Sequence, residues 1–289
     1  IAELLHDYDK YTNWDLYNNP KFTKMFTSHI PLTLAGYYTA QIGDHSGTAG
    51  GKISVNDLFD TYVKGFARLG NPELAQILYH VNGDSVEGIH LGIMEKDPER
   101  IQQDILDVID KYGTFSPRSD MLAGYGFAVL RDGKKYKSTG SQEVNTLRDF
   151  WMYFGTGSSH GHDDALNLGM DAFGLNYAPD LGYPEYAGTD PNRIQWVDAS
   201  LSHNTVMVNG KSQTPIAYSS TPLHFDDSGR VKVMDADASQ VYSYTDIYRR
   251  TVVMVKVSDE VSYGVDFFRV RGGNDHVYSF HSQSGEIDK

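Results

Sequence analysis

Residues 101–133 read IQQDILDVIDKYGTFSPRSDMLAGYGFAVLRDG, and the hydrophobic period changes inside this stretch. Up to Tyr112 the apolar residues Ile101, Ile105, Val108, Ile109 and Tyr112 share one helical face, the 3.6-residue spacing of an amphipathic helix. After Pro117 the spacing falls to two, the period of a strand with one buried face. An α+β chain is expected, with a helical part over residues 1–116 and antiparallel sheet over 117–289.

Working upstream, Val55, Leu58, Phe59, Tyr62, Val63, Phe66 and Leu69 form another helical face, with Ser54 as its cap, Asp57 three residues on, and Gly70 closing it. Asn71 with Pro72, and Asp97 with Pro98, are start signals for two further helices. Short connections between them imply antiparallel neighbours. A Gly-rich segment, PLTLAGYYTAQIGDHSGTAGGK at 31–52, reads as a loop whose polar residues could line a cleft. Downstream lie strand-like runs without intervening helices: YGFAVLRDG, LRDFWMYFG, ALNLGMDAFG, HNTVMVNG, RVKVMDA, SQVYSYTD, RRTVVMVKV and VSYGVDFFRV. Asp132-Gly133 and Asn209-Gly210 are tight-turn signals, and so many short strands point to packed antiparallel sheets.

The net charge of −13, from 25 Lys+Arg against 38 Asp+Glu, argues against nucleic acid as a partner. With no cysteine, thiolate metal sites, disulfides and a Cys nucleophile are excluded. No apolar run approaches the roughly 20 residues of a membrane span. The 20 tyrosines include candidates for stacking on sugars, although most are expected in strands and core. The opening IAELLHDYDKY reads as the interior of a helix, so the chain is expected to start inside a larger domain.

Chemistry concentrates at 158–184, SSHGHDDALNLGMDAFGLNYAPDLGYP. If a strand begins at the histidines, His160 and His162 project together, and Leu166, Leu168, Met170 and Ala172 form its core face. His162, Asp180 and His203 supply two imidazoles and a carboxylate, a ligand set suited to Zn²⁺. Two other readings stand beside it: an HxH pair that is only solvated or hydrogen-bonded, and an iron facial triad of His162, Asp164 and His203 as in non-haem oxygenases. Asp44, His45, Arg193 and Trp196 are further candidates for contact with a sugar.

The blocks SSHGHDDALNLGMDAFG, NYAPDLGYP and SLSHNTVMVNG, in this order and spacing, resemble the heparinase II/III-like polysaccharide lyases, and NNPKFTKMF and YYTAQIGDHSG extend the resemblance upstream. The resemblance implies an incomplete (α/α) toroid, its C-terminal part, followed by an antiparallel β-sandwich, with the active site in the cleft between them. It implies β-elimination on a uronic-acid-containing glycan of glycosaminoglycan or alginate type. His160 matches the catalytic histidine, and His162, Asp180 and His203 match the ligands of a structural zinc. Asp163 and Asp164 become supporting residues, and Tyr183 is a substrate-binding candidate. The family's catalytic tyrosine and carboxylate-neutralising Asn or His are expected upstream of Ile1, with Tyr8 and Tyr11 as helix-surface or core residues. The expected partner is an acidic polysaccharide or oligosaccharide, with a homodimer allowed, in a secreted, cell-surface or periplasmic protein. A glycan-binding module without catalysis is the other reading.

Overall fold

A computed structural model describes residues 8–12, 14–36, 38–45, 51–52, 55–92, 96–137, 143–155, 160–183, 192–215 and 220–283. Ser54 and the side chains of Val55, Asp57, Leu58 and Phe59 lie outside what is described. The chain divides into two compact units, Ile1–Tyr37 with Lys52–Pro117, and Tyr38–Gly51 with Arg118–Lys289.

The first unit is built from the helices Pro20–Thr27, Val55–Leu69, Pro72–Val81 and Arg100–Tyr112. Two of them start as their sequences dictate: Asn19 and Asn71 accept from Lys21 N and Glu73 N at 3.0 and 2.9 Å, and Pro20 and Pro72 occupy the first turn, where no N–H is needed. Gly70 closes the second helix at φ 61°, its N–H donating to Phe66 O. The fourth helix starts at Arg100, two residues after Pro98, because Asp97–Glu99 fold as a turn instead of a cap. Its buried stripe is Ile101 and Ile105. Tyr112, expected on that face, is exposed and lies under the Lys111 ammonium. Phe22, Phe26, Tyr62, Phe66, Leu74, Ile77 and Leu78 join these two isoleucines in one core.

The second unit holds a five-stranded antiparallel sheet in the order Leu175–Asn176, Asn167–Ala172, Arg148–Tyr153, Phe127–Asp132, Asp120–Leu122. A four-stranded antiparallel sheet runs Thr221–Asp226, Val231–Asp237, Thr245–Lys256, Ser262–Gly272, and a short pair joins Val206–Val208 to His276–Tyr278. Ala128, Leu130, Met152 and Leu168 of the first sheet share one hydrophobic core with Met234, Ala236, Tyr248, Val252 and Met254 of the second. The architecture is therefore α+β with antiparallel sheets.

Three local expectations are corrected. SQVYSYTD alternates like a strand, yet Ser239–Val241 is a 3-10 turn, because Asp237 accepts from both the N–H and the Oγ of Ser239 and bends the chain. The strand within ALNLGMDAFG begins only at Asn167, and it buries both faces rather than the Leu166, Leu168, Met170 and Ala172 face alone. Its polar side survives burial because Asn167 Oδ1 accepts from Asn204 N and Asp171 accepts from Trp151 Nε1. The histidine segment is a loop, not the start of a strand. Asn209-Gly210 behaves as expected, with φ 55° and 64°, the two positive values that a type I′ hairpin turn needs.

Candidate metal centre and active site

The histidines lie on a loop ahead of the strand. Asn167 N donates to Asp164 O at 2.8 Å and Leu166 adopts φ 64°, so a turn breaks the two-residue alternation before the strand begins. His160 and His162 consequently part company. The side chain of His160 is 76% exposed, whereas that of His162 is fully buried.

This loop is held by the segment that carries His203. Gln213 accepts from Ala165 N at 2.8 Å and donates to Ala165 O at 3.1 Å, and Thr205 Oγ1 donates to the same carbonyl at 3.0 Å. Asn204 Nδ2 donates to Leu168 O at 2.9 Å. The buried Arg250 guanidinium donates to Leu166 O and to Asn204 O, and pairs with both oxygens of Asp266 at 2.9 and 2.8 Å. In a low-dielectric interior such a satisfied network is rigid. His203 itself follows the 3-10 turn Ser200–Ser202 and precedes the strand, which starts at Val206.

These two segments and the loop that follows Leu175–Asn176 bring His162, Asp180 and His203 together, all buried, with one ligand atom from each lying within 4.8 Å of the others. His203 Nδ1 is 2.7 Å from Asp180 Oδ2, His162 Nδ1 is 3.4 Å from Asp180 Oδ1, and the two rings are 5.1 Å apart. Gly182 N also donates to Asp180 Oδ1 at 3.1 Å. Burial by itself would lower the His203 imidazole, but the Asp180 carboxylate overrides it and pushes it up to about 9. The same contest has the opposite sign at Asp180: burial favours the neutral acid, yet His203 and His162 hold the carboxyl well below the usual range.

A metal ion fits this set. Among the described residues both ring nitrogens of His162 and Nε2 of His203 are buried without a hydrogen-bond partner, which is costly for polar atoms sealed from water. Two imidazoles and a carboxylate are the donor chemistry of zinc and its neighbours. The facial-triad alternative is not assembled: among the described residues no such trio includes Asp164, a buried carboxyl pushed up to about 6 by its desolvation.

A second trio, Asp44, His162 and Asp198, shares the same imidazole. His162 Nε2 lies 3.5 Å from Asp44 Oδ1 and 3.7 Å from Asp198 Oδ1. Asp44 Oδ2 meets His160 Nδ1 at 3.0 Å and Arg193 at 2.7 Å. Arg193 is thereby engaged by Asp44 instead of standing free for a uronate, and its guanidinium sits 5.6 Å from the centre of the half-exposed Tyr183 ring. Trp196 is exposed and packs edge-on against His281, while His45 turns away to Thr39 Oγ1 at 2.6 Å. Asp198 was not singled out from the sequence. The backbone bond from Asp163 N to Asp198 O, 2.8 Å, and the approach of Arg193 Nε to Asp198 Oδ1, 3.7 Å, bring it here.

No curated protein matches the chain. Among solved structures, a heparinase III gene product superimposes with a TM-score of 0.63 at 18% identity, over 93% of this chain and 35% of the other. A second heparinase III gives 0.61 at 16%, over 94% and 37%. Heparan sulfate lyase HepC from Pedobacter heparinus gives 0.60 at 14%, over 87% and 32%. This chain thus spans about a third of the length of those enzymes, and the likeness is one of fold. Among the described residues no helix is long and apolar enough to cross a membrane. The family model described as heparinase II/III-like, C-terminal, matches residues 121–287, which carry all three residues of the buried trio together with His160. Since that match spans more than half of the sequence, the chain belongs to the heparinase II/III-like, C-terminal family.

Proposed function

We propose that this protein acts in a polysaccharide lyase that cleaves a uronic-acid-containing glycan, of glycosaminoglycan or alginate type, by β-elimination. In this reading the chain supplies the C-terminal part of an (α/α) toroid and an antiparallel β-sandwich. The observation that carries it is the exposed His160, braced by Asp44, beside the buried trio His162, Asp180 and His203 in a family-matched segment.

Elimination needs a base to remove the proton on C5 of the uronate, a partner for its carboxylate, and an acid for the departing O4. The C4–O4 bond breaks, a C4–C5 double bond forms, and the proton from C5 passes to the base. His160 moves a proton at its imidazole. Tyr183 offers an amphipathic ring to the sugar. His162, Asp180 and His203 hold a structural zinc that ties their loops together, and no step of the elimination passes through it. A polymeric substrate goes with a secreted, cell-surface or periplasmic protein.

The test is to incubate the purified full-length protein with a panel of uronate polymers and follow the ultraviolet absorbance of an unsaturated uronate. His160→Ala should reduce the rate by about 10²–10⁴-fold, the usual contribution of a general acid or base, with an unchanged circular dichroism spectrum. Absence of the absorbing product with every polymer would overturn the reading.

A further inference from the structure

We infer that Asp44 is a positioning residue for His160: it accepts the Nδ1–H of the imidazole and thereby reserves Nε2 for proton transfer. The inference rests on the lyase reading for the role of His160, but the contact itself stands on geometry. A neutral imidazole carries one N–H, and an ionised carboxylate only accepts. Asp44 Oδ2 lies 3.0 Å from His160 Nδ1, so the contact selects the tautomer protonated at Nδ1 and leaves a lone pair on Nε2.

Three further observations single out Asp44. Its side chain is 5% exposed, so its charge must be compensated, and Arg193 at 2.7 Å does so. Its other oxygen faces His162 Nε2 at 3.5 Å, so a single carboxylate touches both the exposed histidine and the buried trio. Metal-bound imidazoles commonly give their second nitrogen to such a carboxylate. Finally, the backbone is clamped at the same place. Asp44 N donates to His160 O at 2.9 Å, and Gly43 adopts φ 58° so close to that carbonyl that a Cβ would sit 2.1 Å from it. Residue 44 therefore holds His160 at both its backbone and its ring. An exposed histidine otherwise spreads over several rotamers, and anchoring removes that freedom before substrate arrives.

The experiment uses the Zn²⁺-loaded protein with ¹⁵N-labelled histidine, and reads the His160 tautomer from long-range proton–nitrogen correlations, assigned by comparison with His160→Ala. Wild type should show His160 protonated at Nδ1. Asp44→Ala should convert it to the Nε2–H form favoured by free histidine, and Asp44→Glu should restore the Nδ1–H signal. On a cleaved polymer, Asp44→Ala should lower kcat by about 10- to 100-fold, as loss of an outer-shell carboxylate does, with KM changed by less than about threefold in the sense of a transition-state loss. Should Asp44→Ala not fold, Asp44→Asn replaces it, and a kcat loss at unchanged KM with a mixed tautomer supports the assignment. A His160 that is Nε2-protonated in wild type, or a tautomer indifferent to residue 44, overturns it. If no polymer is cleaved but the tautomer shifts as stated, the positioning contact stands and the lyase reading falls. Full turnover by Asp44→Ala would defeat the inference and leave the lyase reading intact.

Discussion

His203 Nδ1 and Asp180 Oδ2 meet at 2.7 Å with both side chains sealed from solvent, and His162 Nδ1 approaches the other oxygen of Asp180 at 3.4 Å. Two buried imidazoles that converge on one buried carboxylate are a donor set prepared for a cation. Stripping metal with a chelator should therefore lower the melting temperature, and Zn²⁺ should restore it; an ion at 100 times its Kd adds about 2.7 kcal/mol. In Asp180→Asn the chelator should have no effect. That variant should also lose about 3–5 kcal/mol, because a buried charge is deprived of its partner. Calorimetry with metal analysis of both proteins checks this, and a metal-independent melting curve in wild type would count against it.

Gly43 and Gly70 make a matched pair. Both adopt positive φ, 58° and 61°, but a Cβ at Gly70 meets nothing within 4 Å, whereas one at Gly43 runs into His160 O. Gly70→Ala should cost only backbone strain, about 1–2 kcal/mol. Gly43→Ala should cost more, because the loop must move away from His160. Thermal unfolding of the two variants measures the difference, and equal costs would refute the clamp.

Arg250 ties the site to the core. Its guanidinium is fully buried, and its loss strands Leu166 O and Asn204 O as well as Asp266. Arg250→Leu should cost about 3–5 kcal/mol, the range for breaking a buried pair. It should also weaken zinc binding, since the two loops lose their common tether. Asp266→Asn should be milder, for the acid is about a quarter exposed and an amide still accepts from Arg250. Chemical denaturation and zinc titration of both variants test this ranking.

Features set by local chemistry were legible in the sequence. The change of period after Pro117, the Asn71-Pro72 start and the Asn209-Gly210 hairpin each depend on neighbours a few residues apart, where dihedral preferences and capping decide. Thr221–Asp226 went unread because its alternation is interrupted: a register shift lies between Pro222 and His224, and the strand is mostly solvated. The histidine loop reads as a strand end in the sequence because nothing in HGHDDALN announces a non-glycine residue at φ 64°. The resemblance pointed to His162, Asp180 and His203, and the fold brings them together. The contact of Asp44 with His160 spans 116 residues and becomes visible only in three dimensions.

Asp171 provides a pH test away from these ligands. It is buried in the strand next to the short edge strand Leu175–Asn176, where desolvation and then the nearby Asp149 charge raise its carboxyl well above the ordinary value. Trp151 Nε1 donates to its Oδ2 at 3.0 Å, but among the described residues Oδ1 has no partner. Between the unfolded pKa, about 3.9, and the raised folded value, the native state holds a proton that the unfolded chain has released. Folding stability therefore falls as pH rises through this window, and the penalty persists above it. Asp171→Asn keeps an acceptor for Trp151 and carries no charge at any pH. The stability of Asp171→Asn relative to wild type should thus increase as pH is raised from about 4 to 8, measured by urea denaturation at each pH. A difference that stays constant or shrinks with rising pH would show that the carboxyl ionises in the fold as readily as in the unfolded chain.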